Sequence, residues 1–184
     1  MISDKRGMRM RKRGLYLSRL MVLTVLLMIQ GCKTMQVNYS FSGVNISPDI
    51  NTVTVQYFPN RAPVVQAQLS QLFTDALIDK IQSNTSLELV PAGGDVSFSG
   101  EIRNYETRPT AITGNETAAR NRLTISIRVV YTNVLDPEQD FESTFSRYEE
   151  YDSSRNLADV EEELIDLIME NILEDIFNKA FVNW

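Results

Sequence analysis

One cysteine and no histidine set the first limit on what this 184-residue chain can do. Nucleophile–base pairs built on imidazole are unavailable, and so are metal sites that need imidazole or several thiolates. The cysteine, Cys32, follows the run "LMVLTVLLMI", residues 20–29, with only Gln30 and Gly31 between. No imidazole is present to activate its thiol, and no fold is expected to surround a residue this close to the boundary of the apolar run. Its neighbours offer a cleavage point instead, because Gly31 is small enough to let a peptidase reach the bond before Cys32.

The remaining candidates for chemistry are charged. Glu161, Glu162 and Glu163 occupy successive positions of a predicted helix. They point about 100° apart and cannot converge on one ion, so they read as a solvated helix start. "LDPEQDFE", residues 135–142, lacks the glycine and the twelve-residue spacing of a calcium loop and is better explained as a turn between strands. "AGGD" lacks the lysine and spacing of a phosphate-binding loop. Carboxylate-only hydrolysis remains a third class of function, with no residues pointing to it. "NYETRPTAITGNETAARNR", residues 104–122, is more informative. It is expected to link two strands with roughly 12 to 14 residues, where a hairpin uses two to five. Arg108, Arg120 and Arg122 lie in or beside it, with hydroxyls at Thr107, Thr110 and Thr113. A forked guanidinium suits phosphate, so the sharper reading is a projecting tip that touches an anionic ligand or a partner's interior. The plainer one is an exposed loop with ordinary surface arginines.

Ahead of Cys32, Lys5, Arg6, Arg9, Arg11, Lys12, Arg13 and Arg19 form a basic leader against Asp4 alone. The apolar run behind it is about half the ~20 residues needed to span a bilayer and fits a secretory signal core. The order resembles a bacterial lipoprotein signal, with Ile29 and Gln30 standing where leucine and a small residue are commoner. The resemblance implies that residues 1–31 are removed and that Cys32, acylated on its thiol, becomes the first residue. Two or three acyl chains, at about 0.8 kcal/mol per buried methylene, would hold the protein to a membrane leaflet. A plain signal peptide followed by a buried cysteine is the alternative, but a packing cysteine has no reason to sit at a cleavage point. With its thiol acylated, the mature chain can form no disulfide.

Removing the leader takes seven of the 18 basic residues and one of the 24 acidic ones, leaving 11 against 23 and a net charge of −12. Nucleic-acid binding is disfavoured by that field. The remaining 153 residues suit one domain. Charge is uneven: residues 103–128 carry five arginines against Glu106 and Glu116, whereas residues 136–175 carry 15 acids against Arg147 and Arg155.

Hydrophobic periodicity supplies the frame. "VNYSF" is a possible extended segment within residues 36–43, and "NTVTVQYF" reads as a strand with Val53, Val55 and Tyr57 on one face. Asn60 is expected to cap a helix beginning between residues 61 and 67 and ending near Ser83, with Val65, Leu69, Leu72, Phe73, Ala76 and Ile81 on one side. "SLELVPAGGD" gives a short strand and a turn. Strands follow with Val96, Phe98 and Ile102, then Leu123 to Tyr131 in alternation, then Phe141 and Phe145. Residues 156–179 read as a second helix, with Val160, Leu164, Leu167, Ile168, Ile172, Ile176 and Ala180 at helical spacing. One-sided strands and two amphipathic helices make an α+β sandwich, with both helices on one face of a mainly antiparallel or mixed sheet.

The lipoprotein signal, "NTVTVQYFPNRAP", "LSQLFTDALIDKI", "NRLTISIRVVYTN" and the ending "EDIFNKAFVNW" together resemble the lipopolysaccharide-assembly lipoprotein family LptE, in a branch that diverges from the enteric one. The resemblance covers nearly the whole mature chain. It implies a four-stranded sheet carrying two helices, and a division into signal peptide 1–31, lipidated cysteine and tether 32–50, and one LptE-like domain 51–184. It also implies a non-enzymatic protein with no cofactor, held to the periplasmic side of the outer membrane by its lipid. Such proteins plug and help assemble the β-barrel LptD and assist lipopolysaccharide transport to the outer leaflet. Cys32 matches the acylated cysteine, and Arg108, Arg120 and Arg122 are the candidate lipopolysaccharide contacts. A stand-alone periplasmic lipid-binding lipoprotein is the rival, and it would need an open apolar groove between sheet and helices.

Overall fold

β1 (Thr52–Val55) and β3 (Val96–Thr110) run parallel, so the chain must cross over between them, and helix α1 (Leu69–Asn84) makes that crossing. The computed structural model describes residues 46–64, 66–110 and 119–182. The leader, Cys32, the segment at 36–43, Val65 and the tip residues 111–118 lie outside that range. After α1, the two-residue β2 (Glu88–Leu89) pairs with the far side of β1. β3, β4 (Arg120–Asn133) and β5 (Phe141–Asp152) then form an antiparallel meander, and α2 (Glu161–Phe181) closes the described chain. The sheet order is β2-β1-β3-β4-β5. There are thus five strands, not four, the extra one being the short β2 pair that the sequence already suggested at "SLELV".

Both helices cover the same face. Alternation in β4 sends Leu123, Ile125, Ile127, Val129 and Tyr131 inward, each at most 1% exposed. Phe98 is tilted against Tyr131 at 5.0 Å, Tyr131 stacks on Phe141 at 5.3 Å, and Phe181 of α2 closes the column at 5.8 Å from Phe98. A register shift between Ile102 and Asn104 inserts one extra residue into β3, which keeps both Ile102 and Tyr105 buried on the helix side.

The helix boundaries and faces differ from expectation for local reasons. α1 starts at Leu69 because Gln66 Oε1, not Asn60, accepts the leading amides of Gln68 and Leu69, at 2.7 and 3.0 Å. Asn60 instead orders the approach, its Oδ1 accepting the Ala62 amide at 2.9 Å. Leu72 and Leu167, expected in the core, are 44% and 42% exposed, while Leu77, Ile165, Met169, Leu173, Phe177 and Phe181 are buried. With both a sheet and a neighbouring helix to cover, each buried stripe is wider than one set of i, i+4 positions and is rotated away from those two leucines. A single 3-10 turn at Leu157–Asp159 precedes α2, which therefore begins five residues later than expected.

Burial pushes the Tyr131 phenol up to about 12, with help from the nearby Asp140 and Asp136 carboxylates. Burial also raises Tyr105, whose hydroxyl donates to Glu161 at the start of α2. A raised phenol favours the folded state below pH 10, and that advantage is lost as pH climbs through the folded value. Alkaline titration followed by far-UV dichroism is expected to show a loss of up to roughly 3 kcal/mol between pH 10 and 12 for Tyr131. Tyr131→Phe should flatten that loss.

Candidate functional site

The face of the sheet opposite the helices is left open by the described residues. The even-numbered residues of β4 line it, and β3 and β5 add theirs in register. Arg108 stands opposite Arg122 and Thr110 opposite Arg120, while Glu150 and Asp152 of β5 face Arg122 and Arg120 from the other side. Register brings together three arginines that the sequence spreads over fifteen positions, at the corner where β3 ends and β4 begins.

Those arginines sit on strands, not on a long loop. Pairing continues to Thr110 and resumes at Arg120, so the link is residues 111–119, shorter than the 12 to 14 expected. Polar residues on the open face hid the strand ends, because nothing hydrophobic alternates there.

Each arginine has a carboxylate. Arg108 Nη2 lies 2.9 Å from Glu106 Oε2. Arg122 donates through Nε and Nη2 to Glu150 Oε1 at 3.1 and 2.6 Å, and its guanidinium lies 3.8 Å over the Tyr148 ring. Arg120 Nη1 is 3.8 Å from Glu150 Oε2. The bond to Glu150 holds the Arg122 guanidinium above its usual value. Hydrogen bonds from Ser154, then the charges of Arg120 and Arg155, hold Asp152 below its own. Further along, Arg128 pairs with Glu142 and Arg103 with Glu101, each at 2.7 Å.

The positive excess along residues 103–128 is therefore cancelled across strands, chiefly by Glu142 and Glu150 from the acidic stretch. Acid remains in excess on the helical layer. Its leading cluster, Glu161 to Glu163, lies at the same end of the sheet as the arginines, since Glu161 meets Tyr105 of β3, but on the opposite face.

Exposed ion pairs contribute only about 0–1 kcal/mol, so these carboxylates are exchangeable partners. A phosphate reaching the corner can take over the forked donors, most easily at Arg108, whose side chain is 75% exposed against 37% for Arg122. The sequence reading missed Tyr148, Glu150 and Asp152. Their period-two spacing in "YEEYD" was a usable signal, but their partners are 26 to 32 positions away.

The space between sheet and helices is filled. Phe58, Leu69, Phe73, Leu77, Phe98, Ile168 and Ile172 have no accessible surface there. The apolar groove that a stand-alone lipid carrier would need is occupied by the protein's own side chains. Among the described residues, no group of three or more acidic, cysteine or histidine side chains is placed to hold a metal ion.

This is a two-layer α+β sandwich with a paired-arginine corner on its uncovered sheet face. Residues 50–180 match the model of the LptE family, described as lipopolysaccharide-assembly, and the chain belongs to that family. Three solved structures are similar. The hypothetical protein CT253 of Chlamydia trachomatis is 10% identical, with a TM-score of 0.49 over 73% of this chain and 99% of that one. Uncharacterized lipoprotein B of Nitrosomonas europaea is 15% identical, with a TM-score of 0.45 over 70% and 80%. Rare lipoprotein B of Shewanella oneidensis is 10% identical, with a TM-score of 0.43 over 70% and 90%. A search of curated protein sequences returns no match.

Proposed function

We propose that this protein is a non-enzymatic outer-membrane lipoprotein that plugs and helps assemble an LptD-type β-barrel and assists lipopolysaccharide delivery to the outer leaflet. In this reading Cys32 carries the acyl chains that hold it to the periplasmic side, and Arg108, Arg120 and Arg122 receive lipopolysaccharide phosphates. The family match over residues 50–180 carries the reading. The convergence of the three arginines on one open corner supports the ligand role.

Charge removal tests that role better than charge reversal. A glutamate at position 122 would stand directly opposite Glu150, and like charges across a strand pair destabilise. The triple variant Arg108→Gln/Arg120→Gln/Arg122→Gln is expected to bind purified lipopolysaccharide at least about tenfold more weakly, the loss of one charge-assisted hydrogen bond or more. Its thermal midpoint should stay within a few degrees of the parent, since exposed substitutions usually change stability by about 0.5 kcal/mol. Unchanged affinity in a titration by surface plasmon resonance would remove the corner from the ligand site.

A further inference from the structure

The outer surface of the helical layer carries a feature that lipopolysaccharide contact does not use. A hollow of about 430 Å³ lies between α1 and α2, floored by Leu72, Ala76, Met169 and Leu173. Asp79, Asp166 and Glu170 stand around it. The one cation at its edge, Lys80, is taken by Glu174 at 2.5 Å, whereas no ion pair reaches Asp79, Asp166 or Glu170 among the described residues. A second hollow of about 500 Å³ shares Asp166 and continues past exposed Leu167 to Glu162, Glu163 and Asp159. Together they make a trough along α2 from Val160 to Leu173, about 20 Å at 1.5 Å per residue.

We propose that this trough docks a lysine- or arginine-bearing amphipathic segment of a partner polypeptide. Two exposed leucines and a floor of buried apolar side chains offer a place for apolar anchors. Six carboxylates along the rim, with no ion pair to any of them among the described residues, select positive charge beside those anchors. The same rim works against the other occupants. Anionic lipid headgroups and nucleic acid are repelled, and a second copy of this chain would bring the same six acids face to face. The proposal is independent of the arginine corner, which lies on the opposite layer, so either can fail alone.

The test is site-specific crosslinking in cells with the full-length protein, placing benzoylphenylalanine at Leu72 and, as a control on the open sheet face, at Tyr148. The expected adduct at position 72 is a different polypeptide whose crosslinked peptide, sequenced by mass spectrometry, carries net positive charge beside apolar residues. Asp79→Lys/Asp166→Lys/Glu170→Lys should lower its yield at least about tenfold, while Glu88→Lys, away from the trough, should not. If the triple reversal lowers the unfolding midpoint, Asp166→Asn/Glu170→Gln replaces it, with a loss of about threefold expected. A lipid adduct, a self-adduct, a neutral or acidic peptide, a yield no higher than at Tyr148, or a yield indifferent to the charge changes would each overturn the proposal.

Discussion

Replacing Cys32 with alanine is expected to abolish acylation and remove the protein from the outer-membrane fraction. For protein not already seated in the proposed barrel the effect should be close to complete, because the lipid is the only direct hold on the membrane expected of the chain. Two or three acyl chains, each contributing about 0.8 kcal/mol per buried methylene, make release negligible on the time scale of growth. The apolar run ahead of Cys32 has ten residues, about half of what spans a bilayer, so a retained leader cannot replace the lipid. Among the described residues, no helix is long and apolar enough to cross a membrane. Sucrose-gradient fractionation with palmitate labelling decides the matter. A Cys32→Ala protein that remains unlabelled yet sediments with the outer membrane would show that the anchor lies elsewhere.

A single methyl group at position 100 should cost nearly as much as removing a large core side chain. Gly100 lies opposite Val129 in the β3–β4 ladder. A β-carbon there would lie 2.6 Å from the Phe58 ring and overlap the Arg128 carbonyl oxygen. Neither neighbour can retreat freely. Phe58 is fully buried and packs edge-on against Phe73 at 4.9 Å, and the carbonyl belongs to a strand paired on both sides. Gly100→Ala is therefore expected to destabilise by about 3 kcal/mol, the upper end of ordinary overpacking, and to lower the melting midpoint by roughly 10 °C. Adding Phe58→Leu should recover only part of this, because the carbonyl clash remains. Calorimetry showing Gly100→Ala within 2 °C of the parent would mean that β3 does not approach β4 and Phe58 as described.

Position 100 also shows where sequence reasoning stops. Val96, Phe98 and Ile102 give the inward face of β3, but Gly100 looks like a gap in the alternation until Phe58 is seen to fill it. The α+β class and the one-sided sheet were legible because burial imposes a period on Leu123 to Tyr131 and on Val160 to Ile176. What was hidden depends on pairing between distant segments. The expected basic loop became two strand ends because the open face selects polarity, not alternating hydrophobicity. Its charge vanished because Glu150 and Glu142 arrive from the neighbouring strand, and a local count cannot see that. Leu72 and Leu167 fit the helical pattern but sit outside the core, since α1 and α2 turn their buried stripes toward both the sheet and each other.

Affinity purification of the tagged, full-length lipoprotein from detergent-solubilised outer membranes tests the central proposal most directly. The account predicts that one large β-barrel protein of the LptD type comes down with it in near-stoichiometric amount. It is contradicted if the lipoprotein is recovered alone under conditions that keep outer-membrane barrels folded.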